Sequence, residues 1–135
     1  MKLDHIGVAL RVLSEAADFY RQALNLEVVH REEVPGQGVR VAFLVDPKDP
    51  EGCQVELLEP IAGAGAVAKF LSERGPGLHH LAFRAPSVGA AMKKLRQGGK
   101  PPLEEAPRPG ARGHQVCFLH PKLCHGVLVE LVGQP

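Results

Sequence analysis

The chain has few residues of the types that mark several common protein classes. Tryptophan is absent, Tyr20 is the only tyrosine, and aromatic residues make up 4% of the 135 residues. Binding to single-stranded nucleic acid relies on exposed aromatic side chains that stack on bases, so we do not expect that function. An excess of either positive or negative charge is also lacking, because 16 basic and 15 acidic residues give a formal net charge of +1. This balance argues against a nucleic-acid partner and against a membrane surface.

Long apolar segments and paired cysteines are missing as well. No apolar run approaches the ~20 residues of a membrane-spanning helix, and the first residues, Met1 to His5, lack the apolar stretch of a signal peptide. Cys53, Cys117 and Cys124 are an odd set without Cys-X-X-Cys spacing. We therefore expect free, buried thiols in a cytoplasmic protein.

The sequence does contain an internal repeat. A shift of 75 residues places Leu3 on Leu78, His5 on His80, Val41 on Val116 and Phe43 on Phe118, and a shift of 74 places residues 55–57 on 129–131. Such self-similarity indicates two copies of one structural unit. The length suits a single domain, so we predict one domain over residues 1–135. We divide it into module one at 1–60, a joint at 61–76 and module two at 77–135.

Each module reads as a strand, a helix and three further strands. In module one we predict a helix that opens at Ser14 as the N-cap, with strands at residues 3–10, near Val28, and at 41–45 and 55–58. In module two we predict a helix at residues 87–95, stopped by Gly98-Gly99, with strands at 78–84, near Leu103, and at 116–119 and 127–132. The joint is expected to hold a short helix, and residues 101–102 and 107–113 are expected to be loops. The pattern is α+β, with two tandem βαβββ modules.

Strand alternation separates two histidines from their neighbours. Successive side chains of a strand point to opposite faces, and Ile6 and Val8 mark the apolar face of the first strand. His5 therefore projects from the other face, beside Gly7. The repeat gives His80 the same position, while the adjacent His79 falls on the apolar face.

Two glutamates occupy equivalent positions in the repeat. Glu56 and Glu130 each lie between apolar strand residues, where an unpartnered carboxylate is costly to bury. One divalent cation that takes an imidazole and a carboxylate from each module explains both pairs. Two nitrogen and two oxygen ligands suit six-coordinate Co²⁺, Ni²⁺, Mn²⁺ or Zn²⁺, and open positions favour catalysis over a structural role. We predict one ion per chain, held by His5, Glu56, His80 and Glu130.

The remaining histidines lack repeat partners. They are His30, His114, His120 and His125. A lone histidine in a strand or loop is more often exposed or hydrogen-bonded than a ligand, so we expect no functional role for these four.

At the four ligand positions the sequence resembles the vicinal-oxygen-chelate (glyoxalase/bleomycin-resistance) superfamily, and within it the methylmalonyl-CoA epimerases. The resemblance runs along nearly the whole chain. Its segments include Leu-Asp-His-Ile-Gly-Val-Ala at residues 3–9, Gly-Val-Arg-Val-Ala-Phe at 38–43, Val-Glu-Leu-Leu-Glu-Pro at 55–60, Gly-Leu-His-His at 77–80, His-Pro-Lys at 120–122 and Gly-Val-Leu-Val-Glu-Leu at 126–131. It implies a curved, partly open mixed sheet around a metal site.

The resemblance also implies an activity. A protein of this kind interconverts (2R)- and (2S)-methylmalonyl-CoA by abstracting the α-proton, through an enolate that a divalent metal, Co²⁺ first, stabilises. Glu130 is then the expected catalytic base as well as a ligand. The cationic loop at residues 110–114 makes Arg112, with Lys122, an expected contact to a carboxylate or phosphate of the acyl-CoA substrate. Gln37, in a loop that resembles the family's, is a further expected contact, and a solvated loop is the alternative for each of the three. A homodimer is the expected assembly.

One position departs from this pattern. Val41 stands where some epimerases carry a second glutamate, and a valine cannot move a proton, so the second base is unidentified. Glu59 is a poor substitute because alternation puts it on the face opposite Glu56. A water molecule at the metal, or Glu56 itself, stays open.

Three other functions compete with the epimerase. Glyoxalase I (lactoylglutathione lyase) resembles this chain in its two histidines and two glutamates and acts on a glutathione hemithioacetal. A ring-cleaving dioxygenase fits less well, because two histidines and one carboxylate hold its Fe²⁺ and Glu56 would be an extra ligand. A non-catalytic drug-binding protein of the bleomycin-resistance type generally needs no such metal set.

Overall fold

The computed structural model describes residues 1–135 and contains eight strands and three α-helices. In chain order they are β1 (Leu3–Ala9), α1 (Leu13–Leu24), β2 (Glu27–Val34), β3 (Val39–Val45), β4 (Gln54–Pro60), α2 (Ala66–Arg74), β5 (Gly77–Arg84), α3 (Val88–Gln97), β6 (Arg108–Pro109), β7 (Gln115–Leu119) and β8 (Val129–Gly133). The strands form one mixed sheet in the order β2-β3-β4-β1-β5-β8-β7-β6. The predicted α+β pattern of strand, helix and three strands in each half is confirmed.

Packing groups the chain into two compact units, residues 5–79 and residues 1–4 with 80–135. In the first unit β1 pairs in parallel with β4, and β3 pairs antiparallel with both β4 and β2. In the second unit β5 pairs in parallel with β8, and β7 pairs antiparallel with both β8 and β6. The two halves therefore repeat the same strand pairing. The single domain and its module boundaries stay predictions.

Helix α1 covers the apolar face of the first unit. Leu13 and Ala17 pack against Leu44 and Leu57 in one buried cluster. Ser14 is not the N-cap as predicted, because the helix begins at Leu13 after the extended residue Val12, whose side chain makes no capping bond. A distant side chain takes that role: the Glu59 carboxylate accepts the Leu13 N–H at 2.7 Å. Because this capping group comes from strand β4, it could not be predicted from the residues next to the helix in sequence.

Helix α3 covers the second unit and begins where the sequence predicts. Ser87 is the N-cap, and its hydroxyl oxygen accepts the Ala90 N–H at 3.2 Å. Val88 and Met92 pack against Leu131 in a second buried cluster. Helix α2 lies in the joint, as expected. None of the three α-helices combines the length and the apolar composition that a membrane-spanning helix requires.

The predicted strand near Leu103 is wrong. Leu103 is 57% exposed and makes a single backbone bond to Phe118, and the corresponding edge strand is the two-residue β6, inside the segment predicted as a loop. Prolines supply no N–H to a ladder. The prolines around residues 101–109 therefore leave room for only a short strand at this edge.

None of the three cysteines forms a disulfide bond, as predicted, but only one is fully buried. Cys117 on β7 is buried, Cys124 is half-buried and Cys53 is exposed. Burial raises the pKa of the Cys117 thiol to about 11, so this thiol stays neutral and behaves as a small apolar side chain. The expectation of burial was wrong for Cys53 because its residue lies just before β4, outside the sheet.

Candidate metal centre

The register of two parallel strands brings His5 and Glu56 together. Gly7 of β1 pairs with Glu56 of β4, and His5, two residues earlier, projects from the same face as Gly7. Gly7 has no side chain between them, and His5 Nε2 lies 2.8 Å from Glu56 Oε2. The two residues are 2% and 4% exposed, so the contact lies away from solvent.

His80 and Glu130 meet through the same offset. Ala82 of β5 pairs with Glu130 of β8, and His80 again lies two residues before the small residue. His80 Nε2 is 2.9 Å from Glu130 Oε2, and both residues are 5% exposed. The neighbouring His79 instead packs edge-on against the ring of Phe70, with centroids 5.0 Å apart. The distinction drawn between the two histidines from strand alternation agrees with this placement.

The four side chains form one group, which we call the His/Glu cluster (His5, Glu56, His80 and Glu130). Each offers one ligand atom, and these atoms all lie within 4.8 Å of one another. Two ligands about 2.1 Å from one ion at a right angle lie about 3 Å apart, close to the two measured His–Glu separations. The donor set therefore fits a divalent metal ion, and the cluster indicates such a site.

Charge balance supports the same conclusion. With both carboxylates ionised and both imidazoles neutral, the buried cluster carries two negative charges. Burying like charges without compensation is costly. A divalent cation provides the compensation and uses neutral imidazole nitrogens, the form in which histidine ligates metals.

An aromatic ring stands beside each histidine of the cluster. Phe43 pairs with Glu56 across β3 and β4, and its ring meets that of His5 edge-on at 5.4 Å. Phe118 pairs with Glu130 across β7 and β8, and its ring meets that of His80 edge-on at 6.1 Å. No role for these two phenylalanines was predicted from the sequence, although they occupy equivalent positions in the repeat.

The three predicted substrate contacts lie outside the cluster. Gln37 is half-buried in the 3-10 turn Pro35–Gln37 between β2 and β3. Arg112 is half-buried in a second such turn, Ala111–Gly113, and has a left-handed backbone conformation with φ of 61°. Lys122 lies after β7 and is exposed, and its backbone N–H donates to His120 Nδ1 at 3.0 Å. Their roles toward a substrate stay predictions.

The structure also places the two residues discussed as second bases. Val41 is fully buried in the middle of β3. Glu59 lies on the helix side of the sheet, where its carboxylate bonds the Leu13 N–H at 2.7 Å and Arg40 Nη1 at 2.5 Å. The rejection of Glu59 from strand alternation is consistent with these contacts.

Comparison with known proteins identifies relatives over nearly the full length. A family profile described as the Glyoxalase/Bleomycin resistance protein/Dioxygenase superfamily matches residues 4–118. The ethylmalonyl-CoA/methylmalonyl-CoA epimerase of Cereibacter sphaeroides is 37% identical over 133 residues, covering 96% of each chain. The crystal structure of methylmalonyl-CoA epimerase from Mycobacterium tuberculosis superposes with a TM-score of 0.93 at 37% identity, covering 98% of this chain and 87% of that chain.

A second similar structure contains a ligand. It is a variant of the Streptomyces coelicolor methylmalonyl-CoA epimerase in complex with 2-nitronate-propionyl-CoA, 42% identical, with a TM-score of 0.92. The alignment covers 99% of this chain and 97% of that chain. The glyoxalase-like fold expected from the sequence is thereby confirmed.

Proposed function

Because the chain belongs to the Glyoxalase/Bleomycin resistance protein/Dioxygenase superfamily, we propose that it is a metal-dependent methylmalonyl-CoA epimerase. The observation that carries the proposal is the buried His/Glu cluster, on a scaffold 37% to 42% identical to epimerases of that substrate. The reaction interconverts the 2R and 2S forms of methylmalonyl-CoA. We propose Co²⁺ as the first metal to test, followed by Ni²⁺, Mn²⁺ and Zn²⁺.

The substrate explains why such a cluster is useful. Its α-carbon lies between a thioester and a carboxylate, and loss of the α-proton leaves an enolate with negative charge on oxygen. A divalent cation held by His5, Glu56, His80 and Glu130 would supply a Lewis acid that favours this charge. The Phe43 and Phe118 rings lie beside the histidines, and the four cluster residues are 2% to 5% exposed. Electrostatic interactions in such a buried site are stronger than in water.

Glu130 is the proposed base for one face of the α-carbon. Its carboxylate is buried and lies 2.9 Å from His80 Nε2, so its position is held by a ring that strand β5 fixes. A positioned carboxylate that accepts the α-proton contributes on the order of 10²–10⁴ in rate. The proton held by Glu130 exchanges with solvent, and delivery of a solvent-derived proton to the α-carbon completes the hydrogen exchange.

Further parts of the proposal concern substrate and assembly. Arg112 and Lys122 carry positive charge suited to the carboxylate and the phosphates of an acyl-CoA, and Gln37 offers an amide in the turn before β3. We also propose a cytoplasmic homodimer, with no nucleic-acid or membrane partner. Sedimentation equilibrium over a range of concentrations tests the dimer.

The test of function is hydrogen exchange at the α-carbon. Metal-loaded protein is incubated in D₂O with one epimer of methylmalonyl-CoA, and mass spectrometry follows deuterium while chiral analysis follows the second epimer. We expect both deuterium uptake and interconversion. Absence of both, with rapid turnover of a methylglyoxal–glutathione hemithioacetal, would assign the chain to glyoxalase I. Absence of any turnover with retained ligand binding would favour the drug-binding class.

A further inference from the structure

Strand β2 contains an irregularity that redirects its side chains. Val28 pairs with Leu44, and His30 pairs with Phe43, so the register shifts by one residue between them. Val28 packs against the cluster under α1, which is the helix side of the sheet. In a regular strand His30 would share that face, but a bulge re-aims the residues that follow it.

After the bulge, β2 presents two polar side chains to the face of the His/Glu cluster. His30 pairs with Phe43, which pairs on its other side with Glu56. Directly paired residues of antiparallel strands share a face, so His30 and Glu56 project from the same side. Glu32 lies two residues further and pairs with Val41, and it therefore projects from that side too.

The two residues are joined to each other. His30 Nε2 lies 2.8 Å from Glu32 Oε1, and the two side chains are 33% and 30% exposed. They are thus accessible to a small molecule, unlike the cluster itself. The His30 ring is 6.2 Å from the Phe43 ring, which is 5.4 Å from the His5 ring. Phe43 therefore stands between this pair and the cluster.

Strand pairing relates Glu32 to the His/Glu cluster. Neighbouring strands lie ~4.8 Å apart, so β2 and β4 are separated by about 10 Å across the sheet. Glu32 is level with Val41 and Leu58, and Glu56 is level with Phe43 and His30. The two glutamates therefore lie on the same face, two strands apart and offset by two residues along the strands.

Resting on the proposed function, we propose that Glu32, held by His30, is the second acid–base group of the epimerisation. Inversion requires a proton carrier on each face of the planar enolate. In one direction the Glu32 carboxylate takes the α-proton, the C–H electron pair enters the enolate, and protonated Glu130 delivers a proton to the other face. In the reverse direction the roles are interchanged: Glu130 takes the α-proton and protonated Glu32 delivers a proton to the other face. His30 is a positioning residue that orients the carboxylate.

Glu32 can fill the role of second base because neither Val41 nor Glu59 can. Val41, its partner across the ladder, has no proton to give or take. Glu59 is occupied on the opposite face by the Leu13 N–H and Arg40. Glu32 is paired with Val41 and projects from the same face, one strand closer to the edge of the sheet.

The experiment compares two conservative variants, each given each epimer in D₂O. Glu32→Gln should lower interconversion on the order of 10²-fold or more. It should keep α-hydrogen exchange from the epimer that Glu130 deprotonates and lose exchange from the other. Glu130→Gln should show the opposite preference. His30→Gln should reduce exchange from the same epimer as Glu32→Gln, to a smaller extent.

The matched control is Glu33→Gln. Glu33 is the next residue on β2 but faces the other side, where it bonds Arg40 Nη2 at 2.9 Å. It should keep both exchanges. Metal content and the circular dichroism spectrum of Glu32→Gln should equal those of the wild type, which separates the role from folding and from metal binding.

Two results overturn the role of Glu32. One is wild-type interconversion by Glu32→Gln, and the other is an equal loss of exchange from both epimers. If the wild type exchanges neither epimer, the epimerase function itself fails, and the role of Glu32 fails with it. The wild-type measurement therefore distinguishes the two failures.

Discussion

A buried carboxylate is a strong local charge, and the His/Glu cluster brings two of them within 4.8 Å of each other. The nearby imidazoles satisfy one oxygen of each at 2.8 and 2.9 Å. Removing one partner of a buried charged pair leaves the other uncompensated, which is destabilising. The four residues therefore act as a unit, and a change at one of them should affect metal binding more than a change nearby.

The two adjacent histidines of β5 provide the sharpest test of that unit. His80→Ala removes a cluster nitrogen, and we expect it to lose most of the roughly one metal ion per chain that the wild type holds. His79→Ala removes a ring that packs on Phe70, and we expect it to retain the ion. Elemental analysis after dialysis measures both, with circular dichroism as the folding control. Metal loss from His79→Ala alone would contradict the assigned register.

The four cluster residues could be predicted from the sequence because they form two pairs at equivalent positions of the repeat. Histidine and glutamate recur at matching positions, and strand alternation alone separates His80 from His79. His30 was assigned no role, since the register shift after Val28 depends on how two strands pair. Nothing in the order of residues along β2 reveals that shift.

At the scale of elements, Glu59 links a strand to a helix. Its carboxylate accepts the Leu13 N–H at 2.7 Å and also bonds Arg40. The first N–H groups of a helix lack partners within the helix, and a negative charge there is favourable. The hydrogen bonds to Glu33 and Glu59 raise the pKa of Arg40, so this guanidinium stays charged.

We expect Glu59→Ala to lower the free energy of unfolding by about 1–2 kcal/mol, the usual cost of losing a helix cap. The control is Glu33→Ala, which also removes a partner of Arg40. The Glu33 side chain is 56% exposed, unlike that of Glu59. An exposed pair of this kind is worth roughly 0–1 kcal/mol. Urea denaturation followed by circular dichroism measures both. Equal losses in the two variants would show that the helix bond contributes nothing.

The elements themselves were predicted unevenly. The helix near residue 87 was placed well because Ser87 caps it locally. The start of α1 was misplaced because its capping group is 46 residues away in sequence. The strand near Leu103 was expected from symmetry between the halves, but prolines override that symmetry at β6.

At the scale of the whole molecule, the repeated strand pairing positions the cluster, and metal binding should therefore be coupled to folding. The family resemblance implied a curved mixed sheet, whereas the order of its eight strands was not predicted. Periodicity along the chain indicates which segments are strands, but it does not state which strands are neighbours. The partner and the assembly likewise depend on surfaces that no local pattern describes.

The coupling predicts a metal-dependent melting temperature. An ion that binds the folded chain and not the unfolded chain stabilises it by about 2.7 kcal/mol at 100 times its dissociation constant. For a chain of this size that corresponds to a rise of roughly 10 °C. Scanning calorimetry of chelator-treated protein, with and without added Co²⁺, measures the shift. His80→Ala, which lacks one cluster nitrogen, should show little or none of it, whereas His79→Ala should show nearly all. The same melting temperature with and without metal in the wild type would mean that the four side chains are satisfied by their own His–Glu contacts, and that the two buried carboxylates need no cation.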